Sequence, residues 1–488
     1  MNRFWKKAGK GFGRVAIIAG LSGLCVAGIG AQTSAPGAAK SPAASGAAGS
    51  HDPAEPLNGA PRPKILARPA GAIARASIDE KSMRKLIHDE VSCGTRLTLS
   101  SWTDPKRGIG CGRDFVVARM NEVAKESGGK LQVVVDKFES KSERTGPDPV
   151  HLENVYGILP GSDEKLAKTV YIVVGDFDSR PSDVMDPNAD APGADDDASG
   201  TAVSGECARQ LSKIAASGKS KFRATVLFGV LAGEEQGLLG AYRLLDWVKE
   251  QGYTVGAMMD NDIVGADTAP GGPHRVRVFS GNGEIEDADS PARELARAIE
   301  EIDGRSAIRM IFRQDRYGRG GDHYPFYKAG LPAVRFTEPL EDYNHQHQTP
   351  RTENGVEYGD FEKYLNFAFM GNVARDNAEV LRQLALAPAP PANVKLTGAV
   401  TPDAKLSWAA EDDVERAGFE ILWRETTEAR WSAFDFAEGA GKSVLKGVST
   451  DNHFFAVRSV GKNGARSIAV IAEAERRAPP LPSNAPKQ

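Results

Sequence analysis

The stretch TVYIVVGDFDSR, residues 169–180, carries an apolar run from Thr169 to Val174 through Gly175 into two acids, Asp176 and Asp178, separated by Phe177. A short, unbroken, β-branched run bounded by turn residues is the pattern of a strand buried on both faces, as in parallel sheets. The pattern recurs in RATVLFGVLAG (223–233), VGAMMD (255–260), HRVRVFS (274–280) and AGLPAVRFTE (329–338). Helical segments fall between these runs. One covers 200–217, one starts near Leu238, and one opens at Ser290-Pro291 with Leu295, Ile299 and Ile302 on one side. The alternation predicts an α/β unit over 78–385, a mostly parallel sheet with helices on both faces. Ligands of such sheets sit outside the carboxyl ends of the strands.

A chain of 488 residues suggests two or three domains, and 41% hydrophobic with 26% charged residues is the composition of a folded protein. The formal charge of −4 and the lack of any Lys/Arg block point away from nucleic acid and from anionic membrane as partners. Arg3, Lys6, Lys7, Lys10 and Arg14 precede the apolar stretch Val15–Gly30, which predicts a signal peptide over 1–31, cut near Ala31. The expected location is secreted or periplasmic, with no stable membrane insertion after cleavage. Residues 32–77 are rich in Ala, Pro, Gly and Ser and read as a flexible linker. Cleavage leaves Cys93, Cys111 and Cys207. In an oxidising compartment the first two either bridge or stay free, while Cys207 shares a helical face with Val203, Leu211 and Ile214 and reads as a buried, inert thiol.

The strand ends are acidic almost without exception. The first leads through Asp176 and Asp178 to Asp195, Asp196 and Asp197; the next ends in Glu234 and Glu235, and the next in Asp260 and Asp262. The last leads to a loop with His345 and His347. Each motif alone has an ordinary reading: a helix cap, a solvated first helical turn, a surface histidine. Together they place more carboxylates at one sheet edge than can stay ionised without a cation among them. Two divalent ions about 3.5–4 Å apart, sharing a carboxylate and a water, would activate that water and polarise a carbonyl. Adjacent glutamates suit a division of labour, one binding metal and the other moving the proton. Amide hydrolysis is the expected reaction.

GADDDASGTA (193–202), AGEEQGLLGA (232–241), MMDNDIVG (258–265) and DYNHQHQTP (342–350), in this order, resemble the secreted zinc aminopeptidases related to bacterial leucyl aminopeptidase. That family also holds glutamate carboxypeptidases and glutaminyl cyclases. The resemblance implies a pair of zinc ions bridged by Asp196, with a cis peptide to Asp197. It implies Glu234 as general base, Glu235 and His347 as ligands of the first metal, and Asp260 as a ligand of the second. GRGGDHYPF (318–326) resembles the family's Asp-His pair, which places Asp322 and His323 beside the metal ligands, or else makes them a loop anchor.

This chain departs from the family where the usual pattern is Gly-His-x-Asp-Ser, with the histidine on the second metal and the following aspartate orienting it. Here Asp176 stands in place of the histidine, and Asp178 loses the ring it would have oriented. The expected outcomes are a harder second site that tolerates Mn²⁺ or Co²⁺ better, a weak second site, or loss of catalysis.

After the Pro/Ala-rich joint ALAPAPPANVKL (385–396), the runs AKLSWAA, GFEILWRET, HFFAVRSV and SIAVIAEAE predict a C-terminal all-β sandwich over 390–478. It resembles a fibronectin type III module with Trp408 and Trp423 in its core, and 479–488 is a tail. The expected activity is a secreted metallo-aminopeptidase acting on peptide or protein substrates. The alternatives are a carboxypeptidase or glutaminyl cyclase on the same fold, or a metal-impaired binding protein, which the retention of Glu234 disfavours.

Overall fold

The computed structural model describes residues 71–281, 289–304, 307–311, 320–398, 400–439 and 441–475. The expected signal peptide, the linker up to residue 70 and the tail lie outside these. One eight-stranded sheet organises the first part. Its strands are β1 (Gln132–Ser140), β2 (Val150–Leu159), β3 (Thr169–Asp176), β4 (Thr225–Leu231), β5 (Thr254–Asn261), β6 (Val276–Phe279), β7 (Ile308–Ile311) and β8 (Ala333–Thr337), in the order β1-β2-β4-β3-β5-β8-β6-β7. The centre, β4-β3-β5-β8, is parallel throughout. The sheet as a whole is mixed, because β1 with β2, β2 with β4 and β6 with β8 pair antiparallel.

Side chains alternate across the strands and feed two apolar layers. Tyr171, Val173, Phe228 and Met259 face α1 (Glu80–Val91), α2 (Ile109–Glu126), α3 (Ala198–Ala216), α5 (Pro291–Asp303) and α7 (Phe367–Leu386). Ile172, Val174, Leu227 and Met258 face α4 (Leu239–Glu250) and α6 (Tyr324–Lys328). Each such buried side chain contributes about 1.5–3 kcal/mol. The helix starts follow the sequence. Asp197 caps α3 by accepting from Gly200 N–H at 2.9 Å, and Ser290 caps α5 with Pro291 in its first turn.

The close approach of α3 to β3 needs glycine on both sides. A Cβ on Gly175 would lie 2.2 Å from the Gly200 carbonyl carbon, and one on Gly200 would lie 1.9 Å from the Asn261 oxygen. The start of α3 is thereby pressed onto the carboxyl ends of β3 and β5. A disulfide joins Cys93 to Cys111, closing the loop between α1 and α2. Cys207 is fully buried in α3, and burial pushes its thiol well above its usual range. A small hairpin, β9 (Arg351–Glu353) and β10 (Val356–Tyr358), follows the loop after β8.

Past α7 the chain forms β11 (Ala392–Thr397), β12 (Ala404–Ala409), β13 (Arg416–Glu425), β14 (Ala433–Ala437), β15 (Gly441–Leu445), β16 (His453–Gly461), β17 (Val470–Ile471) and β18 (Glu473–Ala474). They make two four-stranded sheets, β15-β12-β11-β18 and β14-β13-β16-β17. Trp408 and Trp423 are buried with Phe419 and Phe455 in a shared core. Among the described residues no helix is long and apolar enough to cross a membrane.

Candidate active site

A cleft of about 700 Å³ opens at the carboxyl edge of the parallel strands, walled by Asp196, Glu234, Glu235, Asp262 and His347. Each comes from a strand end. Asp196 lies on the loop from β3 into α3, the two glutamates follow β4, Asp262 follows β5, and His347 lies on the loop after β8. His347 Nε2 lies 2.8 Å from Asp196 Oδ2 and 2.9 Å from Glu235 Oε1. One ligand atom from each of the three residues falls within 4.8 Å of the other two. The charges of Glu235 and Asp196 push His347 up to about 10, against the opposing effect of burial.

Asp176 is buried at the end of β3. Burial first, then the charges of Asp197, Asp178, Glu234 and Asp262, push its carboxyl well above the usual range. Asp178, two residues on, is better supplied than the loss of a histidine partner suggested. It accepts from Thr98 Oγ1 at 2.8 Å and from the backbone N–H groups of Gly233, Glu234 and Glu235 at 2.7, 3.1 and 3.3 Å. It therefore pins the turn that carries both glutamates. Burial and the Glu235 charge still raise it to about 7.

Asp197 faces backbone instead of the cleft. It accepts from Gly200 N–H, from Ile263 N–H at 3.2 Å and from Asp176 N–H at 3.1 Å, tying together the ends of β3 and β5 and the start of α3. The Asp196–Asp197 peptide is cis. Glu234 lines the cleft beside Glu235, and burial followed by Glu235, Asp262, Asp322 and Asp178 raises its carboxyl strongly.

Asp260 is placed differently from the expectation. It lies inside β5, registered against Val174 and Arg335, so its side chain turns into the layer of α6. There it accepts from the His323 backbone N–H at 3.1 Å and meets His323 Nδ1 at 3.2 Å, with its second oxygen buried and unpartnered among the described residues. Asp262, one step past the strand end, reaches the cleft wall and pairs with Arg335 at 2.8 Å. The sequence shows both acids, and the rule that ligands sit beyond strand ends favours the later one. Asp322 is buried with neither carboxyl oxygen partnered among the described residues, and burial, Asp260, Asp178 and Asp262 push it up. His345 stays out of the cluster, stacked on Tyr364 at 3.6 Å.

Three supporting residues carried no signal in the sequence. Arg96 is fully buried and donates to the carbonyls of Phe177, Pro192 and Gly193 at 2.8, 2.7 and 2.7 Å, spanning the loop from Asp176 to Asp196. Thr98 reaches Asp178 from the same disulfide-closed segment. Asp360 accepts from the N–H groups of Asp195 and Asp196 at 2.9 and 2.8 Å.

This donor set fits divalent metal. Imidazole with carboxylates suits zinc, and the buried acids crowded at this edge are of the type that divalent cations bind. Residues 154–364 match the family described as Peptidase family M28. The chain is 39% identical to a protein of Leptosphaeria maculans named as a probable zinc metalloprotease, over 80% of this chain and 94% of that one. A protein of the same description from Pyrenophora tritici-repentis is 37% identical over 83% of this chain and 88% of that one.

The chain belongs to peptidase family M28.

The LapA aminopeptidase of Legionella pneumophila is a solved structure it resembles, with a TM-score of 0.47, 21% identity, and coverage of 64% of this chain and 73% of that one. Membership of M28 makes the chain a metallopeptidase, a hydrolase of peptide bonds, and implies zinc.

Proposed function

We propose that the chain is a secreted zinc exopeptidase that removes the amino-terminal residue of peptides, with Glu234 as general base. The observation that carries the reading is the half-buried, cleft-facing carboxyl of Glu234 next to Glu235, which already stands in the Asp196–His347 cluster. Asp196, Glu235 and His347 would hold one ion. Asp176 and Asp262, with Asp196 shared, would hold a second, so the role expected of Asp260 passes to Asp262. The ions supply Lewis acidity that polarises the substrate carbonyl and activates a water.

The protein's own groups do the rest. Glu234 takes a proton from the attacking water at its carboxylate and returns it to the leaving amine. Asp178, fixed by Thr98 and three backbone N–H groups, holds the Glu234–Glu235 turn in register. The acidic wall, with Glu143 and Asp262, suits a substrate's α-ammonium group. Secretion is inferred from residues 1–31 and is supported by the Cys93–Cys111 bridge, which belongs to an oxidising compartment. We also read the C-terminal sheets as a fibronectin type III-like module.

The test is hydrolysis of leucine p-nitroanilide and of leucyl dipeptides by zinc-loaded protein. Glu234→Gln is expected to lower kcat by about 10²–10⁴-fold while bound zinc, counted by mass spectrometry, stays constant. Undiminished activity in that variant, or equal cleavage of N-acetylated substrates, would overturn the reading.

A further inference from the structure

We propose that Arg144 and Arg180 form a carboxylate-binding subsite in the cleft, so that preferred substrates carry a free carboxylate on the leaving side of the scissile bond. This rests on the exopeptidase reading above and names its substrate class. Among the described lining residues these two are the only Lys or Arg side chains, set in a wall otherwise made acidic by Glu143, Asp196, Glu234, Glu235 and Asp262.

Both arginines touch Glu235 with one N–H only. Arg180 Nη1 lies 3.3 Å from Glu235 Oε2, and its Nε is buried without a hydrogen-bond partner among the described residues. Arg144 Nη1 donates to the Glu235 carbonyl oxygen at 2.9 Å, and its side chain makes no other hydrogen bond to a described residue. An arginine that served only to orient Glu235 would be expected to use its planar fork on both carboxylate oxygens. Here Arg144 and the Nη2 end of Arg180 keep donors for a further planar acceptor.

Arg144 is held in place by its loop. It sits between β1 and β2, where Ser142 N–H donates to Thr145 Oγ1 at 2.9 Å, Arg144 N–H donates to Ser142 Oγ at 3.0 Å, and Ser142 Oγ donates to the Gln236 carbonyl. The tip of the hairpin is thus docked on the turn that carries the glutamates. A cleft of about 700 Å³ suits a peptide of few residues. A zwitterionic substrate finds acids for its ammonium group and arginines for its carboxylate. The carboxylate comes either from the C-terminus of a short peptide or from an Asp or Glu side chain.

The experiment compares kcat/KM of the zinc-loaded protein for Leu-Leu, Leu-Leu-amide, Leu-Asp-amide and leucine p-nitroanilide. Leu-Leu is expected to exceed its amide by about tenfold or more, the worth of charge-assisted hydrogen bonds, through KM. The ratio should fall towards one in Arg144→Gln and recover in part in Arg144→Lys. An advantage of Leu-Asp-amide over Leu-Leu-amide supports the subsite with a side-chain carboxylate as its ligand; an advantage confined to Leu-Leu supports it with the α-carboxylate. Wild-type ratios near one for both pairs, or an acid/amide ratio that Arg144→Gln leaves unchanged, overturn the subsite while p-nitroanilide turnover still upholds the exopeptidase. Absence of turnover on every substrate overturns both. The wild-type ratio decides even if a variant fails to fold.

Discussion

The carboxylate of Asp178 accepts from Thr98 and three backbone N–H groups, whereas the side chain of Asp176 has no hydrogen-bond donor among the described residues. Two acids separated by one residue are therefore in opposite situations, and only Asp176 still needs a positive partner. Metal removal with a chelator is expected to lower the unfolding free energy of the wild type, read from denaturant melts, by about 3 kcal/mol for each ion bound at a hundredfold excess over Kd. Asp176→Ala should narrow that gap, reduce bound metal by about one ion per chain and lower kcat/KM; full metal content in the variant would remove Asp176 from the site. Glu90 offers a separate test at the same scale. It is fully buried near Arg96, both its oxygens lack partners among the described residues, and burial raises it to about 8 against the opposing Arg96 charge. Because its folded pKa is raised, its contribution to stability is fully present below the unfolded value near 4.5 and is lost as pH rises through about 8. The wild type should therefore lose stability relative to Glu90→Gln between pH 5 and 8, on the order of a few kcal/mol. Parallel stability profiles for the two proteins would refute the assignment.

The elements that build the cleft fall into those with local signals and those without. β3, β4, β5, α3 and α5 were legible because an unbroken apolar run, a capping Asp197 and a Ser290-Pro291 start each act within a few residues. The antiparallel margins of the sheet were not, since the pairing of β2 with β4 or β6 with β8 depends on partners distant in the chain. The same distinction runs through the site. His347 and the Glu234–Glu235 pair stand in recognisable motifs, while Asp360 meets Asp196 across 164 positions and Arg96 works through backbone carbonyls. Asp260 and Asp262 were separable only by where β5 ends. The segment from Cys93 to Cys111 is the least legible part and mechanically the most connected, since it supplies both Arg96 and Thr98. Replacing both cysteines with alanine should cost about 3 kcal/mol for a loop of this length. It should also lower kcat, because Asp178 loses a firmly held donor. A denaturant midpoint insensitive to reductant would show that the loop is held by packing alone.

At the scale of the whole molecule, charged side chains join the C-terminal sheets to the peptidase part. Arg430 pairs with Glu300 at 2.7 Å, Trp431 Nε1 donates to Glu294 at 2.9 Å, and Arg223 pairs with Asp413 at 2.9 Å. A further link runs through Arg458. Its guanidinium meets Glu301 on α5 at 2.6 and 3.0 Å and Glu420 on β13 at 2.6 Å, and Glu420 also binds Arg466 at 2.9 Å. Glu301 and Glu420 hold Arg458 above its usual range despite its burial. Burying such charges is tolerable only while every partner is present, so the two carboxylates should differ in weight. Glu420 is fully enclosed between two buried arginines, and Glu420→Gln is expected to cost about 3–5 kcal/mol, the penalty of an uncompensated buried charge. Glu301 is 36% exposed, and Glu301→Gln should cost only about 1 kcal/mol or less. If the sheets and the peptidase unfold as one body, tryptophan fluorescence and loss of hydrolysis will shift together in Glu420→Gln. If fluorescence shifts while hydrolysis keeps its wild-type midpoint, the α5 contact is a tether between independently stable parts, and the sheets contribute nothing to holding the cleft.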